Sequence, residues 1–122
     1  MSDASWQHFV HCFNRSEYVE GVLALEKLWF VERADFYKGL IRVCVALNQL
    51  RLGLITSPRF LLQTAHDLLA AYEPVHQQID VAALRGFVLE CLQRIPPDLQ
   101  TGQGALDLST FPGYQIQPIA QQ

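Results

Sequence analysis

Long apolar runs, clustered charge and paired cysteines are all missing from this sequence, and each absence removes a class of function. The longest apolar stretch, around residues 40–47, is interrupted by Arg42 and falls short of the roughly 18–20 apolar residues that cross a bilayer. The opening Met1-Ser2-Asp3-Ala4-Ser5-Trp6 lacks the basic-then-apolar order of a secretion signal. A cytoplasmic chain with no membrane association is therefore expected. Lysine and arginine number 9 against 12 acidic residues, for a net charge of −3. Arg33, Arg42, Arg51, Arg59, Arg85 and Arg94 are scattered, so no basic patch suggests nucleic acid. Cys12, Cys44 and Cys91 lie far apart with no Cys-x-x-Cys spacing, which leaves zinc and dithiol chemistry without support. They read as small buried thiols in a reducing compartment. Glycine-rich phosphate loops, nucleophile elbows and His-Glu-x-x-His are also absent. No metal or cofactor is expected. His8 and His11 have a spacing that could share a metal, but no third ligand lies nearby, and they read as solvated. His66-Asp67 are neighbours that diverge by about 100° on a helix, and His76 sits in a loop with no role assigned.

Half of the 122 residues are hydrophobic, too many for a disordered chain and enough for one small core. Their spacing is helical. Trp6, Phe9, Val10 and Phe13 predict a first helix over residues 3–13. Ser16 reads as the N-cap of a second helix running to about Phe30, with Glu17 and Glu20 at its positive end and Tyr18, Val22, Leu25 and Trp29 on its inner stripe. A third helix is expected over residues 34–52. Phe36, Leu40, Val43, Leu47 and Leu50, widened by Ile41, Cys44 and Val45, give it the broad apolar arc of a central helix, and Gly53 ends it. Ser57-Pro58 reads as the N-cap and first position of a fourth helix through Leu61, Ala65, Leu68, Leu69 and Tyr72. Asp80 reads as the cap of a fifth, reaching about Arg94 before Pro96-Pro97.

The pattern then changes. Residues 98–122 hold two charged side chains, Asp98 and Asp107, with many glutamines and frequent Gly and Pro. Leu106, Leu108, Phe111, Tyr114, Ile116 and Ile119 remain, too many apolar groups for a solvated linker. Division at about residue 97 is expected: a five-helix all-α bundle over 1–97, and an extended or irregular Gln-rich tail over 98–122. Within the tail, Phe111, Tyr114, Ile116 and Ile119 are the candidates for docking, on the bundle or on another chain.

Two blocks carry a family resemblance. Phe13-Asn14, Glu17-Tyr18-Val19-Glu20, Leu25-Glu26 and Trp29 form the first. Phe36-Tyr37, Gly39-Leu40-Ile41, Ala46-Leu47 and Arg51-x-Gly53 form the second, with a weaker echo at Ile79-Asp80-Val81 and Leu84. In these residues the chain resembles the bacterial and archaeal family known as domain of unknown function 309, as a divergent member. The resemblance implies a compact bundle of about five helices and no established activity. It also implies a polar cluster, His-Glu-x-x-Glu on the second helix and a histidine late in the third. Here Val22-Leu23 stand for the His-Glu pair, Asn48 for the later histidine and Lys38 for a glutamine, so that only Glu26 survives.

Glu26 falls between two apolar stripes, where a carboxylate is costly unless paired or protonated. Asn48 sits similarly in the third helix, with Tyr37 earlier on the same side. Glu26 is expected to be buried and hydrogen-bonded, Glu26 and Asn48 bonding each other or a backbone end. The leading expectation is a non-enzymatic cytosolic module for protein interaction or assembly, its partner another protein or a second copy. The alternative is an enzyme or small-ligand binder with an acid–base site around Glu26, Asn48 and Tyr37.

Overall fold

Each predicted apolar stripe becomes a helix in the computed structural model of the chain, which describes residues 4–119. The helices are α1 (Ala4–Asn14), α2 (Tyr18–Val31), α3 (Asp35–Arg51), α4 (Thr56–Leu69) and α5 (Val81–Gln93). The fold is all-α. Among the described residues the one sheet is a hairpin of two short strands between α4 and α5, with β1 (Val75–His76) antiparallel to β2 (Ile79–Asp80). A short 3-10 turn over Ala70–Tyr72 leads into it.

The broad arc of α3 has the expected consequence: the helix is central, packed between α2 and α4. Leu40, Val43, Cys44, Ala46 and Leu50 are buried along it. Its approach to α4 is close enough that a Cβ on Gly39 would stand 2.9 Å from Leu69 Cγ, so glycine there sets the interhelix distance. Gly53 closes α3 with a φ of +87°. Its N–H donates to the Leu50 carbonyl and the Leu54 N–H to the Gln49 carbonyl, both at 3.0 Å, the paired bonds of a Schellman ending.

Two caps differ from the sequence expectation. Ser16 does not open α2; it ends α1. Its φ is +58°. The Ser16 N–H donates to the Phe13 carbonyl at 3.0 Å and the Glu17 N–H to the Cys12 carbonyl at 2.9 Å. A serine thus holds the left-handed position that glycine holds at the end of α3. Glu17 takes the N-cap place of α2 without a side-chain cap bond. Helix α4 begins at Thr56 rather than after Ser57, which moves Pro58 two residues into the first turn, where its missing N–H is still harmless. Asp80 caps α5 as expected, its Oδ1 accepting from the Ala83 N–H at 2.9 Å.

Over residues 98–119 the chain is irregular apart from a 3-10 turn over Leu108–Thr110. It lies against the bundle. Ile116 is 1% exposed, and Leu99, Leu106, Phe111 and Tyr114 pack on the core.

Candidate functional site

The polar trio does not converge. Tyr37 is buried, and its hydroxyl accepts a 2.6 Å hydrogen bond from Gln77 Nε2 on the hairpin turn. Asn48 is half-buried, with Oδ1 accepting from Arg51 Nη2 at 3.1 Å. Glu26 is half-buried rather than buried, and among the described residues its carboxylate has no hydrogen bond or ion pair. The expected Glu26–Asn48 bond is therefore not formed. The reason lies in the neighbours: Arg51, three residues along α3, reaches Asn48 first, and Glu26 sits at the edge of the buried face of α2, where its head reaches water.

The tail candidates are used internally. Asn14 lies at the end of α1, and its side-chain amide grips Ile116 on both sides: Nδ2 donates to the Ile116 carbonyl at 2.8 Å and Oδ1 accepts from the Ile116 N–H at 2.7 Å. This is the bonding of a β-ladder pair made by a side chain. Tyr114 stacks on Phe87 of α5 with centroids 5.3 Å apart and meets Phe13 edge-on at 6.5 Å. Burial, with the charge of Asp80 added, holds the Tyr114 phenol above its ordinary range. Phe111 is half-buried on the core, while Ile119 is 42% exposed and donates its N–H to the Gln78 carbonyl at 2.6 Å.

Large apolar side chains stay exposed along the outer face of α2, as do Leu52 and Phe60 elsewhere. Val19 is 53% exposed, Leu23 57%, Phe30 67% and Val31 90%. The helix is amphipathic on its inner side, where Gly21, Ala24 and Leu25 are buried, yet its outer side is also apolar. Val19, Leu23 and Phe30 fall on one stripe at spacings of four and seven residues, flanked by Glu20 and Lys27 on one side and bordered by Glu26 on the other. Trp29 packs against the core on one side and is covered on the other by the Arg33 guanidinium, 4.0 Å from its ring. Val22 and Leu23, which stand where the resemblance implies a His-Glu pair, fall at the margin of this stripe: Leu23 is one of its members, and Val22 is half-buried beside it. Val19, Leu23 and Phe30 are the second of the two apolar stripes beside Glu26, and the structure leaves that stripe exposed. The signal that separates them was the apolarity of both sides of α2, too wide an arc for a helix with neighbours on one side.

The cysteines behave as the sequence implied. Cys12, Cys44 and Cys91 are free and buried. Burial raises all three thiols, Cys44 the furthest. Neighbouring carboxylates Glu17 and Glu20 add to the effect at Cys12. His8 lies beside the Cys12 sulfur, with Nε2 at 3.6 Å. His76, in β1 rather than in a loop, packs edge-on against Phe36 with ring centroids 4.5 Å apart. Among the described residues no cluster of three or more His, Cys, Asp or Glu side chains is arranged to hold a metal ion, and no helix is long and apolar enough to cross a membrane.

Residues 6–57 match the model of a domain of unknown function (DUF309), a span that takes in α1 to α3 and both blocks of the resemblance, but not the echo at Ile79-Asp80-Val81. No curated protein and no solved structure matches the chain.

Proposed function

We propose that this chain, whose residues 6–57 carry the DUF309 family pattern, is a non-enzymatic, cytosolic assembly module that pairs with a second copy of itself through the outer face of α2. The observation that carries the reading is the stripe of Val19, Leu23 and Phe30, extended by Val31, on a helix whose other side is already packed. Covering a large apolar side chain is worth roughly 1.5–3 kcal/mol, and a contiguous exposed stripe of this kind marks contact surfaces.

The charges beside the stripe favour a second copy. In an antiparallel pair related by a two-fold axis, the same flank of each helix meets itself. With the axis beside Leu23, Glu20 of each copy lies opposite Lys27 of the other, and Leu23 packs on Leu23. A parallel pairing would instead set the Glu20 and Lys27 flank against the opposite flank, which carries Glu26. The stripe is only one helix long, 14 residues or about 21 Å, so the association is weak and concentration-dependent. The three free, buried thiols agree with a reducing compartment, and the separation of Glu26, Asn48 and Tyr37 argues for contact rather than catalysis.

The test is light scattering or sedimentation across a concentration series from micromolar to millimolar. The mass should rise toward twice the 13.9 kDa of one chain. Leu23→Asp with Phe30→Ser should hold it at one chain while leaving the far-ultraviolet circular dichroism unchanged. A chain monomeric throughout, or a double variant that still associates, refutes the reading.

A further inference from the structure

The docked tail arches over the bundle without sealing onto it. Between residues 108–114 and the helices lies an open cavity of about 340 Å³, within the range of small-ligand sites. Leu47, Leu50 and Phe87 line it from the helices, and Phe111 and Tyr114 from the tail. At about 30 Å³ for each water in the liquid, the space corresponds to a molecule of about a dozen non-hydrogen atoms.

Arg51, in the last turn of α3 and exposed to solvent, also lines the cavity. Its guanidinium is held in place three ways. Nη1 donates to the Ser16 carbonyl at 2.8 Å, Nη2 donates to Asn48 Oδ1 at 3.1 Å, and the group lies 4.7 Å from the Tyr18 ring centroid. All three partners are neutral. Among the described residues no carboxylate lies within ion-pair distance of Arg51, whereas Arg15 and Arg85 pair with Glu17 and Glu73. A guanidinium carries five N–H donors; the two bonds leave three, enough for the two-pronged grip on a carboxylate that arginine favours. Cys91 at the cavity wall opposes no anion, because burial, with Glu90 adding, pushes its thiol up to about 12 and keeps it neutral.

We infer that this cavity binds a small monocarboxylate with an apolar or aromatic body, its carboxylate on Arg51 and its body between Phe87, Phe111 and Tyr114. The site is independent of pairing through α2, since the cavity contains neither Val19, Leu23 nor Phe30. A carboxylate there would also tie the tail to the bundle, because walls from both sides close on one molecule.

The experiment is an NMR titration of the full chain with 3-phenylpropionate and hexanoate, and with 3-phenylpropanamide as the uncharged control. Both acids should bind at millimolar concentration or below and shift the signals of Leu47, Phe87 and Tyr114. The amide should bind at least tenfold more weakly. Arg51→Gln should lose the acids at least tenfold and Arg51→Lys should keep part of the binding, each checked for an unchanged fold by its amide spectrum. If the amide binds as well as the acid, if Arg51→Gln binds unchanged, or if neither acid shifts those signals, the inference is wrong. The amide comparison needs no variant and so stands even if Arg51 proves necessary for folding.

Discussion

Phe36 and Ile116 are both sealed from water, by different means. Phe36 sits at a meeting of rings: Trp6 from α1 at 5.8 Å, Tyr37 at 5.6 Å, Tyr72 at 5.3 Å and His76 at 4.5 Å. No hydrogen bond is needed to hold it there. Ile116 belongs to a segment without regular structure, and the polar amide of Asn14 holds its backbone on both sides. The bundle is thus assembled by area and shape, and the tail by a few directional bonds around single apolar anchors. The comparison teaches that the same gain from burial requires different help. A helix satisfies its own backbone before it packs, whereas an irregular segment must find a partner for every N–H and carbonyl it takes out of water.

The largest effect should come from the bundle. Phe36→Ala should lower unfolding stability by about 3–5 kcal/mol in urea titration, because rings from several elements lose their common neighbour. A loss under 1 kcal/mol would mean that the aromatic cluster collapses freely and that shape matters less than proposed. Asn14→Ala should cost about 1–3 kcal/mol by stranding the Ile116 N–H and carbonyl. The cost should vanish in a chain that ends at residue 97, which isolates the tail as its cause. A full cost in the shortened chain would place the role of Asn14 in the bundle instead. The smallest effect tests a bond at the base of the tail. The Thr101 hydroxyl accepts from the Ile55 and Thr56 N–H groups at 2.8 and 3.1 Å, acting as a distant cap for α4. Thr101→Val should cost about 0.5–2 kcal/mol and speed hydrogen exchange at Thr56 before any other helical amide.

The helices were legible because apolar residues recur at helical spacing, as Trp6, Phe9, Val10 and Phe13 do on α1 and Phe36, Leu40, Val43, Leu47 and Leu50 on α3, and the centrality of α3 followed from the width of its apolar arc; on α4 the structure buries Leu62, which the stripe through Leu61 passed over. The ends were less so. Ser16 carries the side chain of an N-cap but occupies a left-handed position at the close of α1, a choice made by the backbone bonds to Phe13 and Cys12. The hairpin turns on Gln77-Gln78, both with positive φ, where Asn-Gly would have announced it. At the site, the apolar tail residues were legible, but their grip was not. Nothing near Asn14 in sequence points to Ile116, 102 residues away. Glu26 was misjudged because wheel position alone does not say how many neighbours a helix has, and α2 has an open side.

The reciprocal bonds between the start of α4 and the tail also bear on the order of folding. The Thr56 hydroxyl donates to Gln100 Oε1 at 2.7 Å and accepts from the Thr101 N–H at 3.1 Å, and Arg59 donates to the Pro96 and Leu99 carbonyls. During synthesis at roughly 5–20 residues per second, α4 leaves the ribosome seconds before the residues that complete its first turn. Its N-terminus therefore waits, frayed, for chain made after α5, and a stretch translated later fastens the middle of the molecule.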